Sequence, residues 1–404
     1  MKLFSEDFKI AVIHYFLYIV KVVSHFVMGS ITHLVPIHKR RIMFISFSGN
    51  QYSCSPKYLS EYLNTHNHGE FEIIWALRNM SLGDGMPREF KKVKYVSLQY
   101  FYYYMSSKFI ITNVNVSKLI PKKKNQVTIN TTHGGGLYKK AAKDFNNMPS
   151  EWLLIKGINY ENKNTTAYLS CAQMFTSQWI RKSVDFGGDV IDSGLPRNDV
   201  FFYDESQKQR IRDKVYDHFG VPKNEHILLY APTYHDNSKA HFIAFSRVTN
   251  EMELSMDVDA LSEAAAKRFG GKWRLMVRAH LGDSLSVPGI LNATSYPDMQ
   301  ELLLASDMLI SDYSSCIWDF SFSYQPCFLY AYDLSQYDQN RGFYIPIHEW
   351  GFPVCETFDT LINAILNFDE EEYNKKMKHH HDYLGSYEAG HACERMVEYI
   401  IRKV

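Results

Sequence analysis

Met308-Leu309-Ile310-Ser311-Asp312-Tyr313-Ser314-Ser315 reads as a short apolar strand that stops at a tight polar turn, and the segment beyond it, with Trp318 and Asp319, is patterned as a helix. Strand, turn and helix start form the repeating unit of a parallel sheet flanked by helices. Backbone amides left free at such a turn favour an anion, and the Ser314 and Ser315 hydroxyls add donors, so a diphosphate fits there. Capping of the helix by one serine is the simpler use of the same residues.

The alternation continues on both sides. Ile227 to Tyr230, Arg274 to Arg278 and Cys327 to Tyr330 are further strand candidates, interleaved with helical stretches such as Asp298 to Ala305. An earlier set comprises Ile42 to Phe47, Phe71 to Leu77, Phe109 to Thr112 and Val127 to Thr131. The 404 residues leave room for two or three domains. The expected fold is α/β, with two Rossmann-like domains, residues 41–205 and 206–404, facing a cleft and joined near Pro196 to Gln207. The C-terminal helical stretch from Glu388 is able to pack back across either half.

Lys and Arg number 44 and Asp and Glu 44, so no whole-molecule field attracts a polyanion and nucleic acid is not an expected partner. The six cysteines include no pair with the two-residue spacing of zinc or thioredoxin motifs, and they read as reduced, buried thiols. Asp257 and Asp259 precede a helical pattern and read as capping residues, so no tightly bound metal is expected.

Ligands of open parallel sheets bind beyond the carboxyl ends of the strands. His133-Gly134-Gly135-Gly136 follows one such end, with Lys139 and Lys140 after it. An imidazole with an ordinary pKa of about 6.5 can take a proton from an attacking hydroxyl, and glycines let the backbone approach a ligand closely. The same letters occur in the oxyanion loop of some esterases, but the chain has no Gly-x-Ser-x-Gly elbow to supply their nucleophile. Arg278-Ala279-His280 ends another strand and offers a cation and a titratable donor. Arg197 and Asn198 lie in a proline turn, and Arg341-Gly342-Phe343-Tyr344 follows a polar stretch.

Residues 10–35 are mostly apolar. At about 100° per residue, His14, Tyr18, Lys21, His25 and Thr32 form one narrow polar stripe, with Ile13, Phe16, Leu17, Val20, Val23, Phe26, Val27 and Ile31 around the rest. This pattern, followed by the basic cluster His38, Lys39, Arg40 and Arg41, predicts that residues 1–40 carry an amphipathic helix lying on an anionic membrane surface. A transmembrane helix and a helix packed on the protein's own core are the alternatives.

Taken together, these motifs resemble the CDP-glycerol glycerophosphotransferase family of teichoic acid and capsule synthesis. The resemblance is carried by Phe44 to Tyr62, the His133 loop, Gly194 to Val200, Leu229 to Tyr234, Arg278 to His280, Glu301 to Asp319 and Tyr332 to Tyr344. It implies a fold like that of the B-type glycosyltransferases (GT-B), and transfer of glycerol phosphate or ribitol phosphate from a CDP-activated polyol, releasing CMP. The acceptor implied is a hydroxyl of a glycan linked to undecaprenyl diphosphate, or of a growing teichoic-acid-like polymer, at the cytoplasmic face of the membrane. His133 and His280 are then the expected catalytic residues. Arg278, Asp312, Ser314, Ser315, Arg341, Gly342 and Thr233 are expected on the donor side, and Gly134, Gly135, Lys139, Arg197 and Asn198 as acceptor- or phosphate-binding residues. CDP-glycerol or CDP-ribitol is a substrate rather than a resident cofactor, and a divalent cation and a homo-oligomer are left open. The loop departs from the usual His-Gly-Thr-Pro-x-Lys, and Arg278-Ala279-His280-Leu281 from Arg-Pro-His-Pro. A nucleotide-sugar glycosyltransferase or a sugar-nucleotide epimerase is the alternative.

Overall fold

A computed structural model describes residues 23–66, 69–144, 151–233, 256–279 and 289–404. Apolar runs that are buried on both faces form two parallel sheets. The first contains β1 (His38–Ile45), β2 (Glu72–Leu77), β3 (Lys91–Lys94), β4 (Ser107–Thr112), β5 (Val127–Asn130), β6 (Ala167–Ser170) and β7 (Asp189–Asp192), in the order β3-β2-β1-β4-β5-β6-β7. The second contains β8 (Glu225–Tyr230), β9 (Lys272–Val277), β10 (Leu291–Asn292), β11 (Met308–Ser311), β12 (Cys327–Tyr330) and β13 (Val354–Cys355), in the order β10-β9-β8-β11-β12-β13. Chain direction across each sheet reverses beside its first strand, between β1 and β4 and between β8 and β11. Crevices open at such points.

All eight strand candidates quoted above are present. The additions are mainly short or peripheral: β3, β10 and β13 lie at sheet edges or next to them, where a long apolar run is not required. One continuous core joins the halves, from Phe44 and Trp75 under the first sheet to Trp318 and Phe328 under the second. The C-terminal helix Ala392–Arg402 returns to the first half. Cys393, Met396, Val397 and Ile400 form its buried stripe, and Asp199 accepts from the amides of Ala392 at 2.9 Å and Cys393 at 2.8 Å. Asp257 caps its helix, accepting from the amides of Asp259 and Ala260, both at 3.0 Å. All six cysteines are free and buried.

Two observations bear on the amino-terminal region. Residues 23–32 are helical, but the polar stripe faces inward: Thr32 is buried, the His25 ring meets Tyr160 edge-on at 5.9 Å, and Ser24 donates to the Leu119 carbonyl at 3.3 Å. Val23, Phe26, Val27 and Ile31 face outward. His14, Tyr18 and Lys21 lie outside the described residues. Further, the cluster His38 to Arg41 is the start of β1, with Arg40 on Glu70 at 3.0 Å and Arg41 on Glu72 at 2.7 Å, so these two arginines are neutralised within the sheet. No helix among the described residues is long and apolar enough to cross a membrane.

Helix Glu370–Leu384 buries two adjacent histidines. Tyr138 and Ser321 hydroxyls meet the Nε2 atoms of His380 at 3.0 Å and His381 at 2.7 Å. Burial pushes His380 down to about 3, with His381 and His379 adding to the effect, and pushes His381 down to about 4. The unfolded chain, with histidines near 6.5, binds more protons over this interval, so stability present above about 6.5 is lost progressively as pH falls toward 4. Melting temperature should fall over that range, with a shallower slope in His381→Phe; equal slopes would show that this ring contributes nothing to acid lability.

Candidate active site

The crevice of the first half is built where its chain direction reverses. Asn113 directly follows β4, and its backbone carbonyl lies 3.1 Å from His133 Nδ1. A carbonyl only accepts, so Nδ1 carries the proton and Nε2 is left as the basic nitrogen. The Asn113 side chain accepts from the amide of Phe47 at 2.8 Å, which brings the Phe47 ring edge-on to the imidazole at 5.8 Å. His133 is nevertheless exposed to solvent. Protein packed around it lowers the imidazole below its ordinary value, and the Arg197 and Lys139 charges lower it further against the Asn113 hydrogen bond.

Across the second reversal, the Asp312 carboxylate accepts from the Thr233 amide at 2.8 Å and its hydroxyl at 2.6 Å, pinning the end of β8 to the end of β11. Both residues therefore shape the serine turn. Ser314 accepts from the amide of Cys316 at 3.4 Å. Tyr313 stacks on Tyr337 at 3.8 Å and donates to Asp333 at 2.8 Å.

The two motifs meet. A Cβ on Gly134 would stand 3.5 Å from Ser315 Oγ, and one on Gly135 only 2.2 Å from Trp318 Cδ1, so no larger residue fits at 135 without displacing the indole. Lys139 bridges antiparallel to Phe343, with the Lys140 amide donating to Gly342 O at 3.0 Å and the Tyr344 amide to Tyr138 O at 2.8 Å. The loops carrying His133 and Arg341 thus share a short ribbon beside the serine turn. Burial pushes the Lys139 ammonium below its ordinary value, with Asp312 opposing and Arg341 adding to the shift. Burial likewise lowers Arg278, whose guanidinium donates to Tyr296 O at 2.8 Å, and Arg341. Three cations from three segments are thus each partly withdrawn from water, an environment in which an anion is favourable. His280 lies outside the described residues.

Arg197 and Asn198 are placed differently from expectation. The Arg197 guanidinium is fully buried and grips Asp319 with Nε at 2.9 Å and Nη2 at 3.0 Å. Asn198 donates to Glu388 at 2.9 Å. Both join the halves together rather than facing the crevice. Glu388 also accepts from the Leu195 amide at 3.0 Å and the Trp318 indole at 3.3 Å. Burial pushes its carboxyl up to about 8, although these three hydrogen bonds pull the other way. Trp318 is therefore held from behind by Glu388 while its front supports Gly135. Asn113, Phe47, Trp318 and Glu388 are absent from the expected site; Asn113 and Phe47 carried a sequence signal in their places at the ends of apolar strands, and Trp318 in the segment that follows the serine turn.

The sequence profile of the family CDP-Glycerol:Poly(glycerophosphate) glycerophosphotransferase matches residues 27–402. The teichoic acid poly(glycerol phosphate) polymerase of Bacillus spizizenii is 28% identical over 386 residues, which are 91% of this chain and 93% of the relative. The teichoic acid glycerol-phosphate transferase of Staphylococcus aureus is 27% identical, over 90% of this chain and 94% of the relative. Against the poly(glycerol phosphate) polymerase of Staphylococcus epidermidis the identity is also 28%, over 91% of this chain, which spans about half (51%) of that protein. A solved structure of the wall teichoic acid polymerase TagF, soaked with CDPG, superimposes with a TM-score of 0.82 at 25% identity, covering 99% of this chain and 98% of that one. These likenesses favour the polyol-phosphate reading over a nucleotide-sugar transferase or epimerase. With the profile spanning nearly all of its length and the His133 loop seated on the serine turn, the chain belongs to the CDP-glycerol:poly(glycerophosphate) glycerophosphotransferase family.

Proposed function

We propose that the chain transfers glycerol phosphate or ribitol phosphate from the corresponding CDP-polyol to a hydroxyl of a lipid-linked glycan or of a growing teichoic-acid-like polymer. The observation that carries this reading is the contact between the His133 loop and the serine turn, which puts a base and an anion-demanding crevice side by side. His133 Nε2 takes the proton of the acceptor hydroxyl as its oxygen attacks the phosphorus bearing the polyol. The bond from that phosphorus to the bridging oxygen breaks, and CMP leaves with the electron pair. Lys139, Arg278 and Arg341, with the Ser314 and Ser315 hydroxyls, offset the charge that grows on the leaving phosphate. His280 is assigned to the same leaving side.

In this reading the fold is GT-B-like, residues 41–205 receive the acceptor and 206–404 the donor. The enzyme works peripherally at the cytoplasmic face of the membrane, where a lipid-linked acceptor is presented. Incubation with CDP-glycerol or CDP-ribitol and a lipid-linked disaccharide should release CMP and add one polyol-phosphate mass per CMP to the acceptor. CMP release from neither donor would end this assignment.

A further inference from the structure

The stretch Tyr52-Ser53-Cys54-Ser55-Pro56-Lys57-Tyr58 has no part in the chemistry above, yet it carries a cation withdrawn from solvent. Its helix, Cys54–His66, belongs to the first half, but Lys57 and Tyr58 reach into the second. Lys57 Nζ lies 2.5 Å from Asp298 Oδ2 and 3.1 Å from Glu301 Oε1, and the Tyr58 hydroxyl donates to the same Asp298 oxygen at 3.0 Å. The side chains of Lys57, Asp298 and Glu301 are 12%, 1% and 7% exposed, so water screens their charges poorly. Burial disfavours the Lys57 charge, but Asp298 and then Glu301 more than offset that and hold its pKa above the ordinary value.

Asp298 sits in the turn that leads into helix Met299–Ala305, where its other oxygen accepts from the Gln300 amide at 3.0 Å. Two residues earlier, the Tyr296 hydroxyl donates to Glu301 Oε2 at 2.6 Å and the Tyr296 carbonyl accepts from Arg278 Nη1 at 2.8 Å. A carbonyl holds a guanidinium in place without neutralising it. Among the described residues no carboxylate lies within ion-pair distance of Arg278; burial lowers it, and Asp298 is close enough to oppose that shift. Asp298 is thus paired with Lys57 and only faces Arg278. Without Lys57 the carboxylate would keep two neutral donors and an uncompensated buried charge, and Arg278 is a cation placed to offset it. A guanidinium drawn to Asp298 is lost to a phosphate.

We infer that Lys57 is a positioning residue for the donor site: by pairing with Asp298 across the two halves, it fixes the turn that carries the Tyr296 carbonyl and keeps the Arg278 charge unneutralised for a phosphate of the CDP-polyol. Tyr58 assists through the same Asp298 oxygen. The inference rests on the assignment of Arg278 to the donor side in the proposed reaction. It gives the first half a hold on the donor without a contact to it, so that Arg278 is set for binding only when helix Cys54–His66 is seated against the second half.

The test is a double-mutant cycle on the full chain. CMP release with a lipid-linked disaccharide, at low concentrations of whichever CDP-polyol wild type uses, gives kcat/KM for wild type, Lys57→Met, Arg278→Ala and the double variant, with thermal melts of each. Lys57→Met should lose about tenfold, chiefly through a higher KM for the donor, and Arg278→Ala about a hundredfold. The double variant should lie within about twofold of Arg278→Ala, because Lys57 acts only through the arginine. An ion pair that merely joins the halves would lower the melting temperature and let the two losses multiply. If Lys57→Met fails to fold, Tyr58→Phe, which takes one hydroxyl from Asp298, should lose about threefold and again add nothing in the Arg278→Ala background. Losses that multiply, or wild-type kcat/KM in the folded variant, would overturn the inference. CMP release by wild type from neither CDP-polyol would instead overturn the transferase reading, and the inference with it.

Discussion

Replacing His133 by alanine should lower turnover about 10²- to 10⁴-fold while donor affinity and melting temperature stay close to wild type. The size follows from losing one positioned base. The selectivity follows from where the ring sits: it is held by the Asn113 carbonyl and meets Phe47 edge-on, and among the described residues no hydrogen bond ties it to the serine turn. On the proposed reading, Lys139, Arg278 and the serine turn remain to hold CDP-glycerol. The pH dependence carries a definite sign. Only the neutral imidazole accepts a proton, and protein packing together with Arg197 and Lys139 lowers its pKa. The acid limb of kcat/KM should therefore fall below the ordinary value of about 6.5, with activity lost as pH drops through the lowered one. Near wild-type turnover in His133→Ala, or an acid limb above 6.5 in wild type, would remove His133 from the base position. Thermal melts of the same samples separate this from misfolding.

The parallel sheets were legible because a strand covered on both faces must be apolar along its length, as Met308–Ser311 and Ile227–Tyr230 are. The reversal points follow from strand order, and the two most specific motifs stand at them or one strand away. What sequence does not encode locally is which long-range partner a polar side chain finds. Arg197 in its proline turn reads as a phosphate ligand or as a structural cation with equal ease, and only the fold brings Asp319, 122 positions on, against it. Glu388 had no signal at all, since its partners Leu195 and Asn198 lie 193 and 190 positions away. Helix 23–32 shows the same limit in another form. Its periodicity defines two faces, but period alone does not say which face meets the protein, and tertiary contacts from Tyr160 and Leu119 decided for the polar one.

Arg197→Ala should destabilise the protein by about 3–5 kcal/mol, because it strands a carboxylate in the core between the halves. Asp319 is nearly inaccessible and, among the described residues, keeps only Gln300 Nε2, at 2.9 Å, once the two guanidinium bonds are gone. In the intact protein, burial disfavours the Arg197 charge, but Asp319 and Cys54 more than offset that and hold its pKa above the ordinary value. Arg197→Lys should recover little, since one ammonium cannot reproduce two parallel N–H bonds to the two carboxylate oxygens. A double variant, Arg197→Met with Asp319→Leu, removes both charges and should regain most of the stability. Its turnover should remain low, because Asp319 lies in the helix whose Trp318 supports Gly135 beside His133, and a repacked helix no longer fixes that contact. Guanidinium denaturation of the four proteins reads the first effect and CMP release the second. An unchanged midpoint in Arg197→Ala would mean that the halves are held together without this pair, by contacts such as Lys57 with Asp298 at 2.5 Å and Glu301 at 3.1 Å.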